Sequence, residues 1–340
     1  MDSPTPIVFS FDDAHRLVSY LIDHGILSET ARETTQVQKA GEGNMNWVAR
    51  VTTPQQECVV KQARPWVEKY PTIPAPINRY QAELTYYEAT ATQPSLAERS
   101  PSIRFVDPAQ HLIVMDYIPD ASDLTDVYAG RTIAKGLLDG LASYLGDLHG
   151  LALRAPLENH AMRQLNHAHI FALPFRDDPV IDVASLGLSE AHADFATNAA
   201  AKATIAHRGE QYLGAVGPSL LHGDFYPGSW LMAGEDWYVI DPEFSFSGPP
   251  EFDWAVAYAH LVMAQDLEGA AYWASHIPHP VSQWQPWAAI EVARRLLGVA
   301  QLPLTLTTPQ QITLLEACLR ILSDQPTDRM LHQYLIRDSA

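Results

Sequence analysis

The sequence predicts an α+β chain of two lobes: a β-rich N-terminal lobe with one main helix, and a mainly helical C-terminal lobe. Three observations carry that prediction. At 340 residues the chain has room for about two domains, or one domain of two lobes. Its 47% hydrophobic and 18% charged residues are those of a globular protein. Short Val-rich segments with a Gly/Asn turn between them run from Val37 to Lys61, and two more strands are expected over 103–118, whereas after Pro119 apolar residues recur every three or four positions.

Taken in order, residues 7–35 read as helical, because Leu17, Leu21 and Ile22 share one face. The segments 47–51 and 57–61 flank Thr-Thr-Pro-Gln-Gln and predict a β-hairpin. The proline-rich stretch 65–76 predicts an irregular loop. A helix over 78–91 follows, then two strands over 103–118 joined at Asp107-Pro108. The lobe boundary falls near Pro119, giving lobes 1–119 and 120–340. Beyond it, Ile133, Leu137, Leu141, Leu145 and Leu148 predict an amphipathic core helix over 132–153. A second helix is expected over 189–213, then a short β insert over 219–244. Helices continue to the end, broken by the prolines of 278–286.

Charge and cysteine content narrow the function. Forty acidic residues against 22 basic ones give a net charge of −18, which repels nucleic-acid phosphates and anionic bilayers. Neither class of partner is expected. Cys58 and Cys318 are too few for a disulfide framework or a multi-thiolate zinc site. The N-terminal residues lack the basic and apolar regions of a secretory signal, and no apolar run is long enough to span a bilayer. A cytoplasmic protein is expected. His160, His167 and His169 have no carboxylate or cysteine at ligand spacing, so no zinc is predicted. Trp273, Trp284 and Trp287 read as core, and no Gly-x-Ser-x-Gly elbow occurs.

Three features carry chemistry. Gly41-Glu42-Gly43-Asn44-Met45-Asn46 lies between two predicted strands, where glycines let backbone N–H groups approach phosphate oxygens. It is not a dinucleotide fingerprint, since no helix follows directly, and not a P-loop, since the chain has no Gly-Lys pair. Lys61 ends the next apolar strand, and a lysine turned inward there needs an anionic partner. The glycine loop before it implies phosphate; Glu83 and Glu88 on the helix after it are carboxylate candidates. Loop, strand lysine and helix glutamate together match a protein-kinase-like nucleotide lobe. Finally, His222-Gly223-Asp224 and Asp241-Pro242-Glu243 each follow a short apolar strand. Phosphoryl transfer needs one carboxylate to accept the proton of the attacking hydroxyl and others to hold Mg²⁺ on the nucleotide. Asp224 suits the first role, and Asp241 with Glu243 the second.

These residues resemble the aminoglycoside phosphotransferase and choline kinase superfamily, and within it the methylthioribose kinases, over roughly residues 37–300. The family's GDGNLN is similar to GEGNMN (41–46), its lysine-containing KQA to KQARPWV (61–67), and its HGDLHTGS to HGDFYPGS (222–229). DPEFAFYGP is close to DPEFSFSGP (241–249), and the family's arginine pair resembles ARRLLGVA (293–300). The resemblance implies a bilobal protein-kinase-like fold and ATP- and Mg²⁺-dependent phosphorylation of a small-molecule hydroxyl. The acceptor it implies is S-methyl-5-thioribose in methionine salvage, with an aminoglycoside or other amine-bearing acceptor as the alternative. A homodimer is left open.

By position, the resemblance implies Asp224 as base and Asp241 and Glu243 as metal ligands. Gly41, Gly43, Asn44 and Asn46 would form the nucleotide loop. Lys61 would meet the α- and β-phosphates and pair with Glu83, which lies four residues after Arg79 as in the family. Met115 and Tyr117 would flank the adenine. Tyr70, Tyr226, Ser229, Arg294 and Arg295 would border the acceptor, and Asp253 would brace the catalytic loop. Two adjacent arginines reach one site only from a helix end or kink. The chain departs from the family at Tyr70, where the family has Trp, and at Tyr226-Pro227, where it has His-Thr.

Overall fold

A computed structural model describes residues 6–41, 45–214, 217–323 and 329–336. The chain divides into two compact units, Met1–Ala121 and Ser122–Ala340. In the first, α1 (Ala14–Asp23) buries Leu17, Val18, Tyr20 and Leu21. It is shorter than the helix the periodicity predicts over 7–35. Gly25, at φ +69°, adopts the left-handed backbone that ends helices, and the chain then continues in turns and a short 3₁₀ helix. Five strands follow: β1 (Gln36–Lys39), β2 (Trp47–Thr52), β3 (Glu57–Gln62), β4 (Trp66–Val67) and β5 (Tyr70–Pro74). After them come α2 (Arg79–Thr90), α3 (Pro94–Ala97), β6 (Ile103–Asp107) and β7 (Leu112–Asp116).

Strands β1-β2-β3-β7-β6 form one sheet in that order, antiparallel throughout. Alternate residues of β2, Trp47, Ala49 and Val51, point into a core with Leu17, Leu21, Val60, Leu112 and Val114. Each large apolar side chain buried there contributes about 2 kcal/mol. The stretch 65–76 is not the irregular loop its prolines predict: β4 and β5 pair as a separate two-stranded hairpin. Both strands are edges, so Pro71 and Pro74 remove no donor that a third strand would need.

The second unit contains β8 (Ser122–Asp123), α4 (Lys135–His149), α5 (His160–His167), α6 (Ser189–Thr197) and α7 (Ala199–Leu213). Next come β9 (Ser219–Leu221), β10 (Trp230–Ala233), β11 (Asp236–Val239) and β12 (Phe246–Gly248). Helices α8 (Glu251–Met263), α9 (Leu267–His276), α10 (Val281–Leu297), α11 (Thr308–Leu322) and α12 (His332–Leu335) complete it. The single helix expected over 189–213 is two. Asn198 stops α6, and its side chain caps α7 by accepting the Ala201 N–H at 2.9 Å. The expected break over 278–286 is also shorter, because Pro286 lies inside α10. The Ser282 carbonyl, four residues before that proline, accepts from Arg208 Nη2 at 3.4 Å.

Helices α8 and α10 pack together at the centre of the unit and are buried on nearly every face, α10 carrying the buried polar residues Gln285, Glu291, Arg294 and Arg295. Trp273, Trp284 and Trp287 are core residues, at most 2% exposed. Cys58 and Cys318 are buried free thiols. Among the described residues no helix is long and apolar enough to cross a membrane.

Candidate active site

In the N-terminal unit the site residues are organised by two buried cations. Lys61 stands on β3 opposite Ile113 of β7, and its Nζ donates to Glu83 Oε1 on α2 at 2.6 Å. Both side chains are nearly inaccessible, at 6% and 1% exposure. Glu88, the other candidate on α2, is exposed. Arg79, one turn before Glu83 and fully buried, is the second cation. Its Nε donates to Asn46 Oδ1, and its terminal nitrogens donate to the carbonyls of Met45, Arg64 and Pro76, each at 2.8 Å. One guanidinium thus ties the exit of the glycine loop to the segment after β3 and the start of α2.

Gly41 takes the left-handed φ of +69° that the loop reading asks of a glycine. Gly43 and Asn44 lie outside the described residues. Met115 is buried on β7 beside Val59. Tyr117, just past the strand, lies under the Arg50 guanidinium at 4.0 Å. Tyr70 is 53% exposed at the turn of the β4–β5 hairpin.

The C-terminal unit positions its carboxylates by short strands. Strand β9 pairs with β12 and delivers His222, Gly223 and Asp224 at its end. Gly223 has φ +84°, and a Cβ there would sit 2.2 Å from the Phe244 carbonyl oxygen, so only glycine fits. The loop is held from α8. Asp253, completely buried, accepts the N–H groups of His222 at 2.8 Å and Gly223 at 3.0 Å, and meets His149 Nε2 at 3.1 Å. Burial keeps His222 neutral. Its Nδ1 accepts the Asp224 N–H at 3.3 Å, so Nε2 donates to the Ile240 carbonyl at 2.9 Å and links the two acidic turns. Ser229 is buried and donates to the Asp224 carbonyl at 2.9 Å; its hydroxyl braces the loop. Asp253→Asn replaces an acceptor of backbone donors with an amide. We expect it to cost about 3 kcal/mol in denaturant unfolding and to reduce any activity that depends on Asp224.

Asp241 follows β11 with φ +61° and ψ +49°, a left-handed conformation unusual for a residue with a Cβ. Glu243 is buried two residues later. Asn159 Nδ2 donates to the carbonyls of Glu243 at 3.0 Å and Ser245 at 2.9 Å, fixing the turn. Among the described residues no group of three or more metal-ligating side chains occurs. Two hard oxygen donors on a fixed turn still suit Mg²⁺, which takes one or two carboxylates and completes its shell with phosphate and water.

Arginines 294 and 295 are buried, in the last turn of α10. That helix end meets the condition for both to serve one site. Their Nη2 atoms lie 4.0 and 3.5 Å from Asp224 Oδ1. The Asp224 side chain is 23% exposed. Burial pushes its carboxyl above the ordinary aspartate range; Arg295 and Arg294 oppose that rise, and the charge of Glu291 adds to it. The Tyr226 ring has the Arg295 guanidinium 5.4 Å from its centroid and the His260 ring at 4.9 Å.

Residues 36–284 match a family described as the phosphotransferase enzyme family. The chain belongs to that family. Among curated relatives, this phosphotransferase family member is 26% identical to methylthioribose kinase 2 of Oryza sativa subsp. japonica over 253 residues, which is 67% of this chain and 56% of that protein. It is 27% identical to the methylthioribose kinase of Escherichia coli O45:K1 over 249 residues, 68% of this chain and 58% of the other. The chain therefore spans under two thirds of the length of these relatives. The choline kinase LicA from Streptococcus pneumoniae superposes with a TM-score of 0.50 at 13% identity, covering 91% of this chain and 99% of that one. The phosphotransferase family member thus has the bilobal kinase-like α+β fold expected from its sequence.

Of the residues singled out from sequence, the structure joins Lys61 with Glu83, and Asp224 with Arg294, Arg295 and Tyr226. Three buried polar residues went unread: Glu291, His260 and Tyr128. Glu291 had a signal, lying three and four residues before the arginine pair, the spacing of helical ion pairs. His260, a single ionisable residue in an apolar stretch, and Tyr128, in a mixed polar segment, had none.

Proposed function

We propose that the protein is an ATP- and Mg²⁺-dependent small-molecule kinase that phosphorylates a sugar hydroxyl, with S-methyl-5-thioribose or a related 5-modified ribose as acceptor. The observation that carries the reading is the Asp224 carboxylate: raised by burial, flanked by two guanidinium groups, and held by Asp253 on a loop only glycine can form. In this reading Asp224 orients the acceptor hydroxyl and takes its proton as the hydroxyl oxygen attacks the γ-phosphorus and ADP departs. Arg294 and Arg295 stabilise charge on the moving phosphoryl group. Residues 1–119 serve as the nucleotide lobe, with Lys61 on the α- and β-phosphates and Met115 and Tyr117 beside the adenine. Asp241 and Glu243 would hold Mg²⁺, which would neutralise phosphate charge when bound.

The arginine pair also supports a neutral acceptor over an amine-bearing one, since Arg294 and Arg295 already engage Glu291 and Asp224, the carboxylates an ammonium group would need there. The named relatives point to thioribose, while Tyr70 and Tyr226 stand where the resembled family has other residues. The test is a coupled ADP-release assay with MgATP and three acceptors: S-methyl-5-thioribose, deoxyribose and an aminoglycoside. Turnover of the thioribose, abolished by EDTA and restored by excess Mg²⁺, is expected. Phosphorylation of the aminoglycoside alone would overturn the acceptor assignment.

A further inference from the structure

Behind the arginine pair lies a buried acid that the reading above does not use. Glu291 is 1% exposed and sits on α10 one turn before the pair. Arg294 Nε donates to its Oε2 at 2.5 Å, and Arg295 Nε donates to its Oε1 at 2.9 Å. His260 Nε2 meets the same Oε1 at 3.0 Å, and His260 Nδ1 meets the Tyr128 hydroxyl at 2.5 Å. Burial brings His260 down to about 4, so the ring is neutral near pH 7 and carries one proton. An ionised Glu291 only accepts, which puts that proton on Nε2 and leaves Nδ1 to accept from Tyr128. Every polar contact in this chain of groups is thereby matched in sign.

The geometry divides each guanidinium between two acids. Glu291 takes the Nε–H of both arginines, and the Nη2 end of each faces Asp224. Without Glu291, two buried cations would share Asp224 as their acidic partner and would close onto it, shielding the carboxylate from an acceptor hydroxyl. We propose that Glu291 is a positioning residue for phosphoryl transfer: it holds Arg294 and Arg295 by their Nε edges so that their outer ends stand beside Asp224 without capturing it. His260 and Tyr128 fix the Glu291 carboxylate in turn. The inference rests on the assignment of Asp224 as the base, and its test keeps the two apart.

The experiment measures kcat and both KM values of the full chain with MgATP and S-methyl-5-thioribose, or whichever of the three acceptors is turned over. Glu291→Gln, Glu291→Asp and Asp224→Asn are compared, each after its unfolding midpoint has been recorded. We expect E291Q to lower kcat about 10²-fold, the scale of a misplacement near 1 Å, with the KM for ATP within about twofold. E291D keeps the charge and should retain more activity than E291Q. A double-mutant cycle separates positioning from mere support of the fold. In an Arg295→Gln background E291Q should cost less than about threefold, because one of the groups it positions is already gone. An E291Q loss of the same factor in both backgrounds, or of no more than about twofold in the parent, overturns the proposal. If E291Q does not fold, the E291D cycle decides by the same comparison. An active D224N protein would instead overturn the base assignment, whatever Glu291 does.

Discussion

Asp224→Asn is expected to lower kcat between about 10²- and 10⁴-fold, the range that a positioned general base supplies. The substitution keeps the size of the side chain and its place on the His222–Gly223 turn, which Asp253 holds through backbone donors. Binding of MgATP, followed by titration calorimetry without acceptor, should change little. A structural loss would weaken both. The parent enzyme adds a second readout. Because burial raises the Asp224 pKa, its kcat should fall on acidification at a pH above the usual aspartate range, as the base takes up a proton. A D224N protein keeping more than about a tenth of the parental rate would remove Asp224 from the mechanism.

Lys61→Met is expected to act on stability and on catalysis by separate routes. The Lys61–Glu83 pair is buried at both ends, and taking the ammonium from a buried carboxylate costs about 3–5 kcal/mol. Denaturant unfolding should report that loss. Activity should fall about 10²–10³-fold, the scale of losing one fixed electrostatic contact that stabilises the charge developing on the departing ADP. The double substitution Lys61→Met with Glu83→Leu distinguishes the two effects. Apolar residues of similar volume can replace a buried ion pair without loss of stability, so the double variant should recover its unfolding free energy and stay inactive. Recovery of activity along with stability would show that the pair is only structural.

Much of the fold was legible because its signals are local. The alternation in Trp47–Thr52 and the spacing of Leu141, Leu145 and Leu148 are backbone periodicities with no competing reading. Failures came where local preference was overridden. The helix expected over 7–35 stops at Gly25, and the one over 189–213 is reset by Asn198, whose side chain finds Ala201 N–H. The prolines of 65–76 and Pro286 argue against strand and helix, yet each sits where the missing donor is not needed or its carbonyl is served by Arg208.

The candidate residues of the two units divide in the same way. Asp224, Asp241, Glu243 and Lys61 stand in motifs whose spacing is dictated by a strand end, and spacing is visible in sequence. Glu291, His260 and Tyr128 act through contacts between elements more than 30 residues apart. Only Glu291 is marked by its neighbours, through its spacing to Arg294 and Arg295. Arg79 is intermediate: its distance from Glu83 is one helical turn, but the four groups it joins come from three separate segments.

The backbone of Asp241 has a consequence for how the molecule tolerates change. A residue with a Cβ in the left-handed region carries strain on the order of 1 kcal/mol, which a glycine would release. Substitutions that favour thermal resistance alone would therefore be drawn to this turn, and would discard its acid. If the Asp241 carboxylate holds Mg²⁺ as proposed, hardiness and chemistry pull in opposite directions at this one position.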